Sequence, residues 1–298
     1  MSDRTSILAA GLATAAILAS ATTVAQDLDE LMAVVNDELA AAGAAYQLEM
    51  IEYITAGDET GRPLLFGDVG NKQLEIHFVP GDARRGEWSN VPGETDDITW
   101  ASDMVEGSAD GLDPEATQTA ISNAMATWQG QSCSTIPLTF QFVGGDLGLS
   151  QFLATLGLSG SPVPAADLVH AGFGGLDALL PPPIIAATLT FVFLDAVGDP
   201  TDIDNDGKLD AAFREIYYTN NFPWAIGADV DVETIALHET GHGLSQAHFG
   251  KLFRTDANGK LHFAPRALMN AGYTAVLRKV ARSDNGGHCS IWASWPNR

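Results

Sequence analysis

The sequence predicts an α+β fold, with an α/β layered arrangement as the alternative. Apolar residues recur with helical spacing in 27–43 and 114–128, whereas 73–79 alternates apolar and polar residues as a half-buried strand does. A continuous apolar run, TLTFVFL (188–194), predicts a buried strand. Because helices and strands are interleaved along the 298 residues, they are expected to pack in layers, as one large domain or two modest ones.

Residues 1–25 have the pattern of an export signal. After MSDRTS, an apolar run of small residues ends in Thr23-Val24-Ala25, and small side chains at the last and third-last positions fit cleavage after Ala25. A membrane anchor is the alternative, but Ser and Thr interrupt the run and no positively charged cluster follows it. We therefore expect a secreted protein that is not attached to a membrane once the signal is removed.

Residues 26–95 are predicted to form an N-terminal region. A helix over 27–43 can be capped by Asp27, and its apolar stripe faces one side. The charged, turn-rich stretch 79–97 indicates a boundary, so that 96–298 becomes the main domain. The pattern leaves open whether the N-terminal region is a prosegment removed on activation or a permanent subdomain.

The main domain continues the alternation of helices and strands. The start of the 114–128 helix is indicated by Asp113-Pro114-Glu115, since Asp caps, Pro fits the first turn and Glu favours the positive end of the dipole. Asp231 starts a second helix, over 231–243, in a similar way. The other predicted elements are strands at 47–55, 98–102, 137–143 and 215–219, a loop over 144–183 and a last helix at 273–282.

The charge balance excludes one class of function. The chain carries 15 Lys and Arg against 38 Asp and Glu, a net charge of −23. A protein that binds nucleic acid through phosphates needs a basic face, which this composition does not provide. The acidity is typical of a well-hydrated surface, and it also favours hard cations such as calcium.

The two cysteines are predicted to form a disulfide. In an exported chain, an even pair of cysteines favours a bridge over two free thiols. Cys133 and Cys289 lie 156 positions apart, so this bridge would join the end of the chain to its middle. A cysteine zinc site is not expected, since the chain has no CxxC spacing.

The segment HETGHGLSQAH (238–248) contains three of the seven histidines around one glutamate. On a helix, His238 and His242 share a face, so two neutral imidazoles can bind one zinc ion. His248 follows the expected helix end and can return as the third ligand. Glu239 is placed to reach a water on the metal without binding the metal itself. The pattern predicts a zinc site that lowers the pKa of this water, with Glu239 as general base.

The segments ALHETGHGLSQAHFG (236–250) and ALMNAGY (267–273) resemble the metzincin clan of zinc endopeptidases, most closely its matrixin branch. The resemblance covers about 215–273. It implies that Met269 forms a methionine turn beneath the three histidines. It also implies a twisted mixed sheet, an active-site helix and a lower irregular subdomain ending in a helix, with a peptide substrate between the two parts.

One position departs from the family motif. The glycine that the family places three residues after the second histidine, where the helix breaks with positive φ, is Ser245 here. A serine in this conformation is expected to cost about 1 kcal/mol. Gly243 offers a place for an earlier break.

A second stretch, TDIDNDGKLDAAF (201–213), matches most of a calcium-binding loop. The final glutamate of the pattern is replaced by Phe213, with Glu215 two residues later as a possible substitute. The alternative is a solvated acidic turn. If bound, calcium is expected to have a structural role. The predicted ligands are Asp202, Asp204, Asp206 and Asp210.

The sequence therefore predicts a secreted zinc endopeptidase that binds Zn²⁺ and Ca²⁺ and acts on a protein or peptide. The alternative is a non-catalytic secreted module in which the metals serve adhesion or interaction. Glu239 favours the enzyme, because a structural site has no use for a base beside an open metal position. His170 and His288 are expected to be hydrogen-bonded residues. Cleavage specificity and oligomeric state are not predicted.

Overall fold

The computed structural model describes residues 28–56, 73–88, 96–104, 107–148, 164–180, 182–254 and 261–297. The predicted signal segment, 1–25, lies outside these residues. Within the described part of the chain, no helix is long and apolar enough to cross a membrane.

Helices and strands alternate along the chain, and the α+β class is confirmed. The helices are α1 (28–41), α2 (Pro114–Gln129), α3 (Val232–Gly243) and α4 (Arg282–Trp292), with a short 3₁₀ helix at Ala83–Glu87. The strands are β1 (Tyr46–Ala56), β2 (Ile76–His77), β3 (Ile98–Ser102), β4 (Leu138–Phe140), β5 (Leu168–Phe173), β6 (Ile184–Phe193), β7 (Leu209–Tyr218), β8 (Trp224–Ala225), β9 (Val230–Asp231), β10 (Lys251–Arg254), β11 (Leu261–Ala264) and β12 (Gly272–Tyr273).

A mixed sheet of eight strands forms the middle layer. Its spatial order is β12-β1-β6-β7-β5-β3-β4, and β2 pairs with β7 outside this path. Strands β3, β4, β5 and β7 run parallel to their neighbours in that group, whereas β6 is antiparallel to both β1 and β7. Strands β8 with β9 and β10 with β11 form two small separate pairs.

Helices cover both faces of this sheet. On one face, the predicted apolar stripe of α1 is buried in a cluster with strand residues that include Leu48, Phe191 and Phe213. On the other face, α2, α3 and α4 contribute to a second cluster, in which Trp128 and Trp292 are fully buried. Burial of apolar side chains from helices on both faces is the main stabilising contribution available to such a layered arrangement.

The N-terminal region contributes directly to the sheet. Strand β1 pairs with β6 from Tyr46 opposite Phe193 to Thr55 opposite Ile184. At its C-terminal end it also pairs in parallel with β12, where Thr55 lies opposite Gly272. The sheet therefore includes residues on both sides of the predicted boundary near residue 95.

The last helix is not where the sequence predicted it, and the prediction of a helix over 273–282 is wrong. This segment instead crosses the start of α3, where Leu277 N donates to Thr234 Oγ1 at 2.9 Å and Arg278 pairs with Asp231. The helix α4 begins only at Arg282. The sequence pattern does not predict this helix, because α4 contains two glycines. Each glycine in a helix interior lowers helix stability by about 1 kcal/mol relative to alanine.

Tertiary contacts explain why a helix forms at α4 despite its glycines. Asp284 accepts hydrogen bonds from Ala281 N at the start of the helix and from Leu268 N and Met269 N in a neighbouring turn. A side chain at Gly287 would collide with Gln246. The helix is therefore fixed by packing against residues near the candidate site.

Two strand predictions also need correction. Only residues 76–77 of the predicted strand 73–79 lie in the sheet, because Leu74 N donates to Ser245 O beyond the end of α3. The predicted loop 144–183 contains β5, which is buried throughout and pairs with β3 and β7. The Gly-rich and Pro-rich sequence around β5 predicted a loop. The strand forms because it pairs with neighbouring strands, which local sequence does not reveal.

The predicted disulfide is confirmed. Cys133 and Cys289 are bonded, with Cα atoms 5.7 Å apart. The bridge joins the turn after α2 to α4, across 156 positions of sequence. Such bridges are typical of proteins outside the reducing cytosol.

Candidate metal centre

Helix α3 is held at its start and along its length. As predicted, Asp231 is its N-cap and accepts from Thr234 N at 3.0 Å. Arg278 bonds the same carboxylate and joins the following segment to the helix start. Trp128 on α2 donates its indole N–H to Leu237 O at 2.8 Å, directly before the first predicted ligand.

The C-terminal carbonyls of α3 have buried partners. Arg214 on β7 is fully buried and donates to Gly243 O at 2.8 Å, while Trp292 on α4 donates to Leu244 O at 2.9 Å. Burial lowers the pKa of Arg214 to about 9. A cation at this position offsets the negative end of the helix dipole. Sequence reasoning missed Arg214, because nothing in the segment 209–218 indicates its distant acceptors.

Helix α3 breaks at Ser245, the position at which the resemblance predicted a break. Ser245 has φ +67°, its N–H donates to His242 O, and Gln246 N donates to Gly241 O at 2.9 Å. This pair of bonds is the usual reversal after a helix end. Gly243 remains inside the helix, so it does not move the break to an earlier residue. The reversal carries the chain back and brings His248 to the same side as the two helical histidines.

Replacing Ser245 with Gly is expected to stabilise the protein by about 1 kcal/mol, because glycine adopts positive φ without steric strain. Among the described residues, the buried serine hydroxyl also has no hydrogen-bond partner, so its removal is not expected to cost stability. The denaturant midpoint of unfolding should rise. Ser245→Ala is the matched control, since it removes the hydroxyl but keeps the backbone strain. Equal stability of Ser245→Gly and Ser245→Ala would contradict the role of φ.

The three predicted histidine ligands converge on one point. The Nε2 atoms of His238, His242 and His248 lie 3.0–3.1 Å from one another. Three ligands on a tetrahedral zinc ion, with bonds of about 2.0–2.1 Å, would be about 3.3–3.4 Å apart. The observed spacing is slightly tighter than that of a loaded site and needs only a small expansion.

The chemistry of these histidines also fits a metal ion. His238 Nδ1 bonds Leu268 O at 2.7 Å and His242 Nδ1 bonds Gln246 O at 2.8 Å. Donation of Nδ1–H to a carbonyl leaves the Nε2 lone pair facing the common point. Burial lowers the pKa of all three rings, to about 3 for His238 and His248, so the rings are neutral as ligands must be. Three lone pairs facing one buried point repel each other unless a cation lies between them.

Glu239 lies beside this group but is not part of it. Thr188 on β6 donates its hydroxyl to Glu239 Oε2 at 2.7 Å and fixes the carboxylate. Burial raises the pKa of Glu239 to about 8; the Thr188 bond opposes this shift and the charge of Glu52 adds to it. A bound cation would favour the charged form and lower this pKa. The arrangement supplies a proton acceptor next to the metal position.

The turn around Met269 supports both ends of the ligand set. Leu268 O accepts from His238, and Met269 O accepts from Phe249 N at 3.1 Å, next to His248. The Met269 side chain is fully buried and packs on Gly241, where any larger residue would collide with its sulfur. Met269 therefore packs against α3 between the two helical histidines.

The acidic loop brings together three of its four predicted ligands. Asp202, Asp204 and Asp210 have carboxylate oxygens within 4.8 Å of one another. Asp206 is outside this group and lies 3.6 Å from His77 Nδ1. Asp210 also pairs with Arg84 Nη2 at 2.8 Å, so one of the three carboxylates already has a cationic partner.

Glu215 does not complete the acidic loop as the sequence suggested. It is buried within β7 and accepts the hydroxyl hydrogen of Tyr217 at 2.6 Å. His170 and His288 are buried and have hydrogen-bond partners, as expected. His170 Nδ1 lies 2.7 Å from Tyr218 OH, and His288 Nε2 lies 2.8 Å from Ser134 Oγ.

Strand β1 lies against the candidate centre. Glu52 Oε2 is 3.2 Å from His248 Nδ1, and the amide of Ile54 faces the Glu239 carboxylate. Both helical histidines and Glu239 are completely buried, and His248 is 5% exposed.

No protein-family model matches the chain, and no curated protein is significantly similar to it in sequence. The geometry of the site therefore carries the functional argument.

Proposed function

We propose that the protein is a secreted zinc-dependent endopeptidase of the metzincin type. The observation that carries this proposal is the convergence of three histidine Nε2 atoms, with a separate, hydrogen-bonded carboxylate on the helix that carries two of them. A purely structural site needs ligands but no base. The disulfide and the predicted signal segment support secretion.

The residues of the chain have distinct roles in this proposal. His238, His242 and His248 hold the zinc ion, with Met269 packed under the helix that carries two of them. When bound, zinc acts as a Lewis acid and lowers the pKa of water. Glu239 accepts the proton of the attacking water and passes it to the leaving amine. Thr188 holds the carboxylate in position for both transfers.

The burial of the centre favours a second candidate, a non-catalytic secreted metal-binding module. A polypeptide cannot reach the completely buried Glu239, which is contacted by residues of β1, so catalysis requires the site to open. The two candidates differ in one assay. Purified protein, intact and after limited proteolysis, is incubated with an unstructured protein substrate. The enzyme cleaves it in one or both forms, loses activity with a zinc chelator and regains activity with zinc. Tight zinc binding without cleavage in either form supports the module.

We also propose a structural calcium ion in the acidic loop, bound by Asp202, Asp204 and Asp210. A ligand that binds only the folded state, at a hundredfold excess over its Kd, stabilises that state by about 2.7 kcal/mol. Calcium is therefore expected to raise the melting temperature of the wild type, and Asp204→Ala should remove most of that increase. Asp199→Ala, a nearby exposed carboxylate outside the group, is the control and should retain it. Identical melting curves of the wild type with calcium and with a chelator would exclude the site.

A further inference from the structure

The three candidate ligand histidines differ in what faces their second ring nitrogen. In His238 and His242, Nδ1 bonds a backbone carbonyl supplied by the segments that follow α3. In His248, Nδ1 faces a carboxylate oxygen of Glu52 at 3.2 Å. The third histidine is thus the one with a charged side chain at its second ring nitrogen.

Glu52 is presented by a strand with little freedom to move. Strand β1 is paired with β6 on one side, and its C-terminal end is paired with β12 on the other. Met50 and Ile54, which flank Glu52 on the same face of β1, pack with the apolar cluster that contains α3. The Glu52 side chain is 20% exposed, against 4% for His248, so the pair is largely shielded from water.

Glu52 is not itself a member of the ligand group. Among the described residues, the atoms that converge at this centre belong to His238, His242 and His248 alone. The Glu52 carboxylate meets the far side of the His248 ring. A carboxylate in this place fixes the tautomer and orientation of a ligand histidine and increases its basicity.

We propose that Glu52 is a positioning residue for metal binding, which accepts the Nδ1–H of His248 and directs its Nε2 towards the metal. This inference rests on the proposed function only in requiring a metal at the three histidines. Under this proposal β1, which belongs to the N-terminal region, contributes a residue that positions a metal ligand. Helix α1, which is also in the N-terminal region, packs against β1 and β6 on the other face of the sheet. The N-terminal region is therefore an integrated part of the fold.

The proposal is tested by measuring zinc affinity of the full chain in competition with a chromophoric chelator. Loss of a carboxylate that orients a ligand histidine typically weakens metal binding by about 10–100-fold. Glu52→Ala should show a loss of this size. Glu52→Gln, which keeps the shape and an acceptor oxygen but not the charge, should show a smaller one and guards against misfolding of the alanine variant. Glu49→Ala, on the same strand and bonded to Gln47, is the matched control and should bind zinc as the wild type does.

A double-mutant comparison separates positioning from a general structural effect. In a His248→Ala background, Glu52→Ala should cause a much smaller further loss of zinc affinity, because the histidine that it orients is gone. Full additivity of the two losses overturns the proposal. Unchanged zinc affinity in Glu52→Ala also overturns the proposal, even if the cleavage activity of this variant rises. A wild type that binds no zinc overturns this proposal together with the proposed function. Weakened binding in Glu52→Ala, in a protein that cleaves nothing, supports the positioning role and refutes the endopeptidase.

Discussion

Replacing Glu239 with Gln is expected to lower the rate of peptide cleavage by about 10²–10⁴-fold, the range that general-base catalysis commonly contributes. The amide keeps the shape of the side chain, and its oxygen can still accept the hydroxyl hydrogen of Thr188. It cannot accept a proton from water. Zinc content should remain near that of the wild type, because Glu239 lies outside the ligand group. Metal analysis and a cleavage assay on the same preparation measure both quantities.

His248→Ala is the control for this result. It removes a ligand and leaves the base intact, so zinc content and cleavage should fall together. The two variants therefore separate loss of proton transfer from loss of the metal. If Glu239→Gln cleaves as fast as the wild type, the proposed mechanism is wrong even when zinc is present.

Local sequence predicted that the three histidines come together, because their geometry is mostly local. His238 and His242 share a face through helical spacing alone, and the break that returns His248 lies within one turn of the helix end. The positive φ at Ser245 also follows from a motif of adjacent residues. These features need no knowledge of the rest of the fold.

The residues that support the ligands could not be predicted in this way. Thr188, Arg214 and Glu52 come from strands β6, β7 and β1, and each reaches α3 or His248 only because the sheet has its particular strand order. A single sequence contains no signal for such pairings. Helix α4 was missed for a related reason, since the hydrogen bonds of Asp284 stabilise it against the low helix propensity of its glycines.

Removing the disulfide is expected to have the largest effect on stability. A bridge across 156 positions restricts the unfolded chain, and the chain-entropy model assigns such a loop about 4–5 kcal/mol. The variant with both Cys133→Ser and Cys289→Ser should therefore unfold at a much lower denaturant concentration. Wild type measured under reducing conditions should match this variant, and the single substitutions should each give the same loss.

Removing the disulfide should also weaken zinc binding, because two residues of α4 contact segments that support the metal centre. Asp284 holds the backbone of Leu268 and Met269, and Trp292 holds the end of α3 through Leu244 O. Without the bridge, α4 is held to the turn after α2 by weaker contacts, and zinc affinity is expected to fall along with stability. Chelator competition on the folded double variant, well below its denaturation midpoint, measures this coupling. A large loss of stability with unchanged zinc affinity would show that the bridge acts on the unfolded chain alone and that α4 keeps its position without it.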